Sequence, residues 1–486
     1  MKTFQLSALA LACSAALMPV AHATNGYMSH AYSPTAKGMA GAGEAAMPQD
    51  SLAIVGNPAA ANQVGRRADV GISWFSPLRE YDGVSPNLAT GALAPIGGGM
   101  NGTGTVTSEN TDFLVPGFGY ALPIDERSAV AIALFGNGGM NTDYRSSDTL
   151  MGLGTYGGNN SMFNPPSNQM GQVPGTTVEG AGNTGVNLEQ LGVSLAYSRE
   201  VADGLSLGAS FLLGYQTIEI KGLGAFQGFT QTFTQSMIAN QGMSAVSPTN
   251  LTDNGQDSAW GYGFQVGALW EVSPMFSVGA SYRTKMYMGE FDKYSDLFAE
   301  GGDFDIPAVG TIGIALRPND RLAFAFDIQR IWYSDVPAIA NNNNLAQNCD
   351  LYAAFGQPSA PGATYDASYC LGGSKGAGFG WDDMTVFKFG TQYAVNDKLK
   401  LRAGYSYGES PIDGSQVAFN ALAPATLENH FTLGASYMVK DNFELTFWGM
   451  YAPEETIKGP GEFTGTQAPE IKMHQYELGV NFAWLY

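Results

Sequence analysis

Beyond its leader, this chain carries few side chains able to run a reaction. Three histidines remain, His30, His430 and His474, and a hydrolase would need one of them beside a serine, with a third group orienting the ring. None stands in a recognisable nucleophile motif, so hydrogen bonding in a plug or rim suits them better and catalysis is not expected. Gly38-x-x-Gly41-x-Gly43 has the glycines of a phosphate cradle, but no strand precedes it and no Lys-Ser or Lys-Thr follows. No His or Cys cluster has metal-ligand spacing. No metal or cofactor is therefore expected, although scattered loop acids would hold calcium weakly.

Binding chemistry is better represented. Between residues 221 and 257, Phe226, Phe229, Phe233 and Met237 recur at three and four residues, with Gln227, Thr230, Gln231 and Thr234 between them. That is helical spacing with one apolar stripe. Such a stripe either packs a helix onto a rim or offers a landing groove to an apolar ligand, a use that suits deformable Met beside aromatics. A second set is cationic. If Phe387 and Phe389 share one face of a strand, Lys388 takes the other, and the same parity turns Arg283, Lys285, Lys400 and Arg402 inward. Cations there would orient a carboxylate head group or pair with acids such as Glu44, Asp50 and Asp327.

Composition narrows the frame that must position these residues. Residues 1–23 read as a secretory leader: Lys2, an apolar stretch from Leu6 to Val20, and Ala21-His22-Ala23 as the cleavage site. The mature chain would start at Thr24. Cys13 belongs to the leader and lacks the leucine three residues earlier that a lipoprotein signal carries. Cys349 and Cys370 remain, and in an oxidising exported setting they are expected to form one disulfide within a long loop. Charged residues make up only 14% of the chain and aromatics 12%. No later run approaches the roughly 18 apolar residues of a membrane helix, which excludes a helical membrane protein. A mean hydropathy of -0.07 fits strands with one face in lipid and one in water; a Gly-rich secreted all-β protein is the alternative. With 43 acidic against 23 basic residues, nucleic acid would be repelled and is not an expected partner.

From Ala68 onward, period-two segments recur in pairs joined by tight turns at Pro123 to Glu126, Asp203-Gly204, Ser273-Pro274, Pro318 to Asp320, Asn396-Asp397 and Asp441-Asn442. Long connections rich in Gly, Asn, Ser and Pro alternate with these turns. The closing stretch places Tyr476, Leu478, Val480, Phe482, Trp484 and Tyr486 on one face and Glu477, Gly479, Asn481 and Ala483 on the other. About fourteen strands result, which predicts an all-β, transmembrane antiparallel barrel over residues 68–486 with turns in the periplasm and loops outside. A barrel of that width must be filled or crossed. Residues 24–67, Gly- and Ala-rich and not strand-like, have the size of a plug inside the lumen.

The plug carries a family resemblance. Asn25-Gly26-Tyr27, Lys37-Gly38-Met39-Ala40-Gly41-Ala42-Gly43, Gln49-Asp50 and the triplet Asn57-Pro58-Ala59 together resemble the amino-terminal hatch of FadL-type outer-membrane transporters. The resemblance implies a fourteen-stranded barrel in the Gram-negative outer membrane, capture of a hydrophobic small molecule by the outward loops, and exit through a side opening at a kink in the third strand. That strand is read as Ser128 to Gly136. Long-chain fatty acids are the first expected cargo and monoaromatic or alkane hydrocarbons the alternative; a structural or adhesive barrel is the reading from another class. A monomer is expected, with outer-membrane lipid and lipopolysaccharide as its surroundings.

Overall fold

The computed structural model describes residues 24–84, 103–144, 184–343, 345–359, 361–459 and 470–486; the leader expected over residues 1–23 lies outside them. Fourteen antiparallel strands form the wall. They are β1 (Arg67–Val84), β2 (Phe113–Pro123), β3 (Ser128–Asn141), β4 (Gly185–Ala202), β5 (Leu205–Lys221), β6 (Asp257–Ser273) and β7 (Phe276–Arg283), followed by β8 (Ala308–Asn319), β9 (Leu322–Trp332), β10 (Met384–Ala394), β11 (Leu399–Gly408), β12 (Asn429–Lys440), β13 (Phe443–Lys458) and β14 (Glu470–Leu485). Each strand pairs with its neighbours in sequence, and β14 returns to β1 in register from Arg67 opposite Leu485 to Asp82 opposite Glu470. Closure removes the last open edge, as backbone in a lipid core requires. Two short strands are appended: Thr103–Thr107 lengthens the sheet beside the outer end of β1, and Tyr287–Met288 pairs with β6.

The strands are inside out relative to a soluble protein. Ile72, Trp74, Val266, Ile312, Leu433 and Leu478 are exposed on the outer face. On the inner face Asp69, Ser194, Gln265, Ser406, Gln475 and Asn481 are buried, because residues 24–66 fill the lumen against them. This hatch has little regular structure: α1 (Pro34–Lys37), α2 (Ala53–Gly56) and a 3-10 turn at Pro58–Asn62. Small residues let it approach the wall. A Cβ at Gly279 would fall within van der Waals contact of the Ala45 carbonyl, so only glycine leaves space for the hatch backbone there.

Buried polar bonds fix the hatch. Arg67 forks onto Asp69 at 2.8 and 2.7 Å and reaches the Gln49 carbonyl at 2.8 Å. Asp69 also accepts from Ser51 N and Oγ at 2.9 and 2.6 Å. Lys37 meets Glu477 of β14 at 2.5 Å. Removing one partner of a buried pair of this kind costs about 3–5 kcal/mol. The Asn57-Pro58-Ala59 triplet is a cap: Asn57 Oδ1 accepts from Ala59 N at 3.0 Å, while Nδ2 donates to Ala45 O at 2.9 Å and Ala268 O at 3.1 Å. Pro58 takes the first position of the turn, where an N–H has no partner to lose.

Candidate functional site

Among the described residues, the wall is interrupted between β2 and β3. β2 and β3 pair from Pro123 opposite Ala129 to Gly117 opposite Phe135, and there the ladder stops. Outward from it, β2 continues to pair with β1 through Phe113. β3 continues to pair with β4, but its register shifts between Gly136 and Gly138, so Asn137 is an inserted bulge residue. The outer half of β3 takes the hatch as its second neighbour. Gly139 N donates to Tyr27 O at 2.9 Å, Ser29 N donates to Asn137 O at 3.1 Å, and Met28 bridges Gly138. A Cβ on Gly138 would overlap the Tyr27 carbonyl, so the close approach needs glycine. Pro116 sits on β2 just past the last pair, where its missing N–H leaves no donor unpaired. A cavity of about 30 Å³ opens at this break, lined by Tyr32 and Leu52 of the hatch, Ile72 of β1, Pro116 of β2 and Phe135 of β3, among others. Ile72 is exposed on the outer wall, so the cavity lies between lumen and lipid.

Asn137 is held by a chain of polar side chains. Its Nδ2 donates to Gln190 at 2.8 Å; Gln190 donates to Gln216 at 3.1 Å, and Gln216 to the Phe304 carbonyl at 2.8 Å. Its Oδ1 accepts from Tyr32 Oη at 3.0 Å and Arg283 at 3.1 Å. The chain therefore ties the bulge to the inner faces of β4 and β5, to the hatch and to the segment after β7.

Of the cations singled out by parity, Arg283, Lys388 and Arg402 are buried on the inner face, and the hatch occupies part of their bonding capacity. Lys388 donates to His30 O at 2.8 Å and stands opposite Asp327 in register. Arg402 donates to Gln392, Ser436 and the hatch residue Gln49 at 2.8, 2.7 and 3.1 Å. Lys285 pairs with Asp305 at 2.7 Å. Arg283 differs. It donates to Tyr32 Oη at 3.2 Å, Asn137 Oδ1 and Met28 Sδ, all neutral, and no carboxylate among the described residues pairs with it.

The stripe at 226–237 is broken in two. Residues Gly224–Phe229 form a 3-10 turn, and the helix proper, α3 (Gln231–Ala239), starts after Thr230, whose hydroxyl caps it by accepting from Phe233 N at 3.2 Å. Phe229 and Phe233 are buried; Phe226 and Met237 are half-buried, and Phe226 packs edge-on against Phe419 at 5.8 Å. Cys349 and Cys370 are bonded, with Cα atoms 5.1 Å apart. The disulfide lies against the helix start: Leu371 N donates to Phe229 O and Gln231 N to Leu371 O, each at 2.9 Å. Beneath these loops Tyr27, Phe304, Tyr333 and Trp381 form a buried aromatic box over the hatch, with ring centroids 5.2–6.5 Å apart.

Asn137, Tyr32 and the box residues Phe304, Tyr333 and Trp381 were not singled out from the sequence, which named only Tyr27 of the box. A signal existed for the bulge, because Gly136, Gly138 and Gly139 interrupt a strand pattern. That interruption is also why the alternation stops at Gly136 although β3 runs on to Asn141.

Residues 15–162 and 175–447 match the outer membrane protein transport protein family (OMPP1/FadL/TodX). The long-chain fatty acid transport protein of Escherichia coli K12 is 22% identical over 505 residues, covering 98% of both chains, and that of Salmonella typhi is 22% identical over 495 residues with the same coverage. Among solved structures, the Pseudomonas putida toluene transporter TodX shares the fold with a TM-score of 0.60 at 18% identity, over 94% of this chain and 99% of that one. A Pseudomonas aeruginosa FadL homologue gives 0.61 at 16% identity, over 94% and 99%. The chain belongs to the OMPP1/FadL/TodX family of Gram-negative outer-membrane barrels that transport hydrophobic compounds.

Proposed function

We propose that this barrel carries hydrophobic small molecules passively across the outer membrane, long-chain fatty acids first among them. The observation that supports this reading is the break between β2 and β3, with the hatch as the missing strand neighbour. A ligand captured at the loop surface beside the half-buried Phe226 and Met237, over the buried Phe229 and Phe233, descends past the aromatic box and leaves sideways where the cavity meets lipid. It never has to displace the whole hatch, and no energy source is required beyond its gradient. No catalytic step is assigned, and purified protein should not hydrolyse esters.

The preference for a carboxylate rests on Arg283, which stands beside the bulge with only neutral partners, and on the relatives that are long-chain fatty acid transport proteins. A guanidinium prefers a carboxylate in a bidentate grip. Monoaromatic hydrocarbons are the second reading, favoured by the box of Tyr27, Phe304, Tyr333 and Trp381. On the outer wall, a trough of about 710 Å³ flanked by Val266, Tyr282, Ile312 and Trp332 faces the bilayer, where membrane lipid would lie. The chain is proposed to act as a monomer.

The deciding experiment is uptake by cells lacking their own transporter, with a long-chain fatty acid, its methyl ester and toluene supplied separately. Faster uptake of the acid than of the ester, reduced by Arg283→Gln, supports the first reading. Toluene uptake without acid uptake would replace it with the second. Phe229→Ser with Phe233→Ser should slow capture while barrel assembly stays normal; unchanged uptake would remove the loop surface from the route.

A further inference from the structure

Arg79 lies near the outer end of β1, inward-facing and buried. Its guanidinium donates to two backbone carbonyls, Asn110 O at 2.7 Å and Pro77 O at 3.4 Å, while its buried Nε has no acceptor. No carboxylate among the described residues pairs with it. Its remaining neighbours are apolar or neutral: it stands 5.9 Å over the Phe113 ring and opposite Met473 in register. Among the other buried arginines of the wall, Arg283 also lacks a carboxylate and has a free Nε, but it donates to the side chains of Tyr32, Asn137 and Met28 rather than to backbone carbonyls. Arg67 is paired with Asp69 and Glu444, and Arg402 is spread over three side chains. A charge withdrawn from water and given only carbonyls lacks its natural counter-ion.

An apolar lane starts under Arg79. Phe113, Phe75, Val115, Met450 and Met473 form one buried cluster on the inner wall, and Val115 also lines the cavity at the break between β2 and β3. From Arg79 to Ser73, which lines that cavity, β1 runs six residues, roughly 20 Å of extended strand. Two of the lane's side chains are methionines, which deform around a guest more readily than branched residues.

We propose that Arg79 is an outer carboxylate station of the transport route, a specificity-determining residue that grips the head group of a long-chain monocarboxylate while the tail enters the lane of Phe113, Met473, Phe75 and Val115. The carboxylate takes Nε and one terminal nitrogen of Arg79, replacing the Asn110 carbonyl. The inference rests on the fatty-acid reading above and adds a station distinct from Arg283, with which it shares none of its bonding partners.

The test is equilibrium binding of a sixteen-carbon fatty acid and its methyl ester to purified protein in detergent: wild type, Arg79→Gln, Arg79→Lys and Arg283→Gln. The expected result is a wild-type preference for the acid, at least a tenfold loss of acid affinity in Arg79→Gln with ester affinity unchanged, and partial retention in Arg79→Lys. Equal losses for acid and ester in Arg79→Gln would make Arg79 a structural residue and overturn the proposal. A preserved acid preference in Arg79→Gln would overturn it as well, with Arg283→Gln then showing whether the preference resides there. A wild type indifferent to acid and ester would instead overturn the fatty-acid reading itself.

Discussion

Substituting Gly138 by alanine should detach the amino-terminal end of the hatch from the third strand and leave the barrel intact. The new Cβ would overlap the Tyr27 carbonyl and press on Met28. To relieve the clash the hatch must give up its two bonds to β3, Gly139 N to Tyr27 O and Ser29 N to Asn137 O. Each is worth about 1 kcal/mol net, so the attached state loses about 2 kcal/mol, or roughly a thirtyfold shift toward the detached one. Hydrogen exchange read peptide by peptide should show residues 27–29 and 138–139 exchanging about thirtyfold faster. Peptides from β10 to β13, which bond to neither segment, should not change. Because the detached hatch no longer fills the gap beside β2, uptake of an apolar ligand should rise. If exchange at 27–29 stayed at the wild-type rate, the hatch would not be acting as the strand neighbour of β3, and the exit route drawn here would fail with it.

Other outcomes can be checked in the same preparation. Replacing Cys349 and Cys370 by serine should leave strand assembly unchanged but free the 333–383 loop from the start of α3, seen as faster proteolysis within both segments and weaker ligand capture. Burial, and then the neighbouring Asp305, raise the Asp303 carboxyl from its ordinary 3.8 to about 6. The folded loop therefore binds more protons than the unfolded one between those values, so its stability should fall as pH rises from about 4 to about 6 and stay level above. Asp303→Asn should flatten that profile, measured as exchange over residues 289–306 corrected for intrinsic rates. Deleting Tyr486 removes the bond from its N–H to Arg66 O at 3.0 Å and the Arg66 contact with its ring at 5.2 Å. Assembly should then slow, as heat-modifiable electrophoretic mobility would show, whereas ligand preference should stay the same.

Much of the barrel was legible because each lipid-facing residue must be apolar whatever its neighbours are. Alternation along β14 therefore assigned Tyr476, Leu478 and Phe482 to the outer wall, where they are exposed, and Asn481 and Ala483 to the lumen, where they are buried. Tight turns such as Asp203-Gly204 are local, with Gly204 at φ +69°. The disulfide was legible from the compartment and from there being only two cysteines beyond the leader. Helical spacing at Phe226 to Met237 held only for its second half: Phe233 and Met237 lie in α3, whereas Phe226 and Phe229 lie in a separate 3-10 turn, because Thr230 caps α3 instead of extending it.

The sequence by itself determined which residues face lipid, how many strands close the wall and which segment plugs it, since these follow from periods of two residues and from local turn chemistry. Only the tertiary structure decided where the wall opens and which cations are left without a carboxylate. The gap beside Pro116 exists because residues 27–29 replace β2 as the neighbour of β3, across more than a hundred residues of chain. Arg79, Arg283, Lys388 and Arg402 look alike in a strand pattern, and it is their distant neighbours, present or missing, that set them apart. Charge compensation depends on distance in space, and period-two spacing carries no information about that.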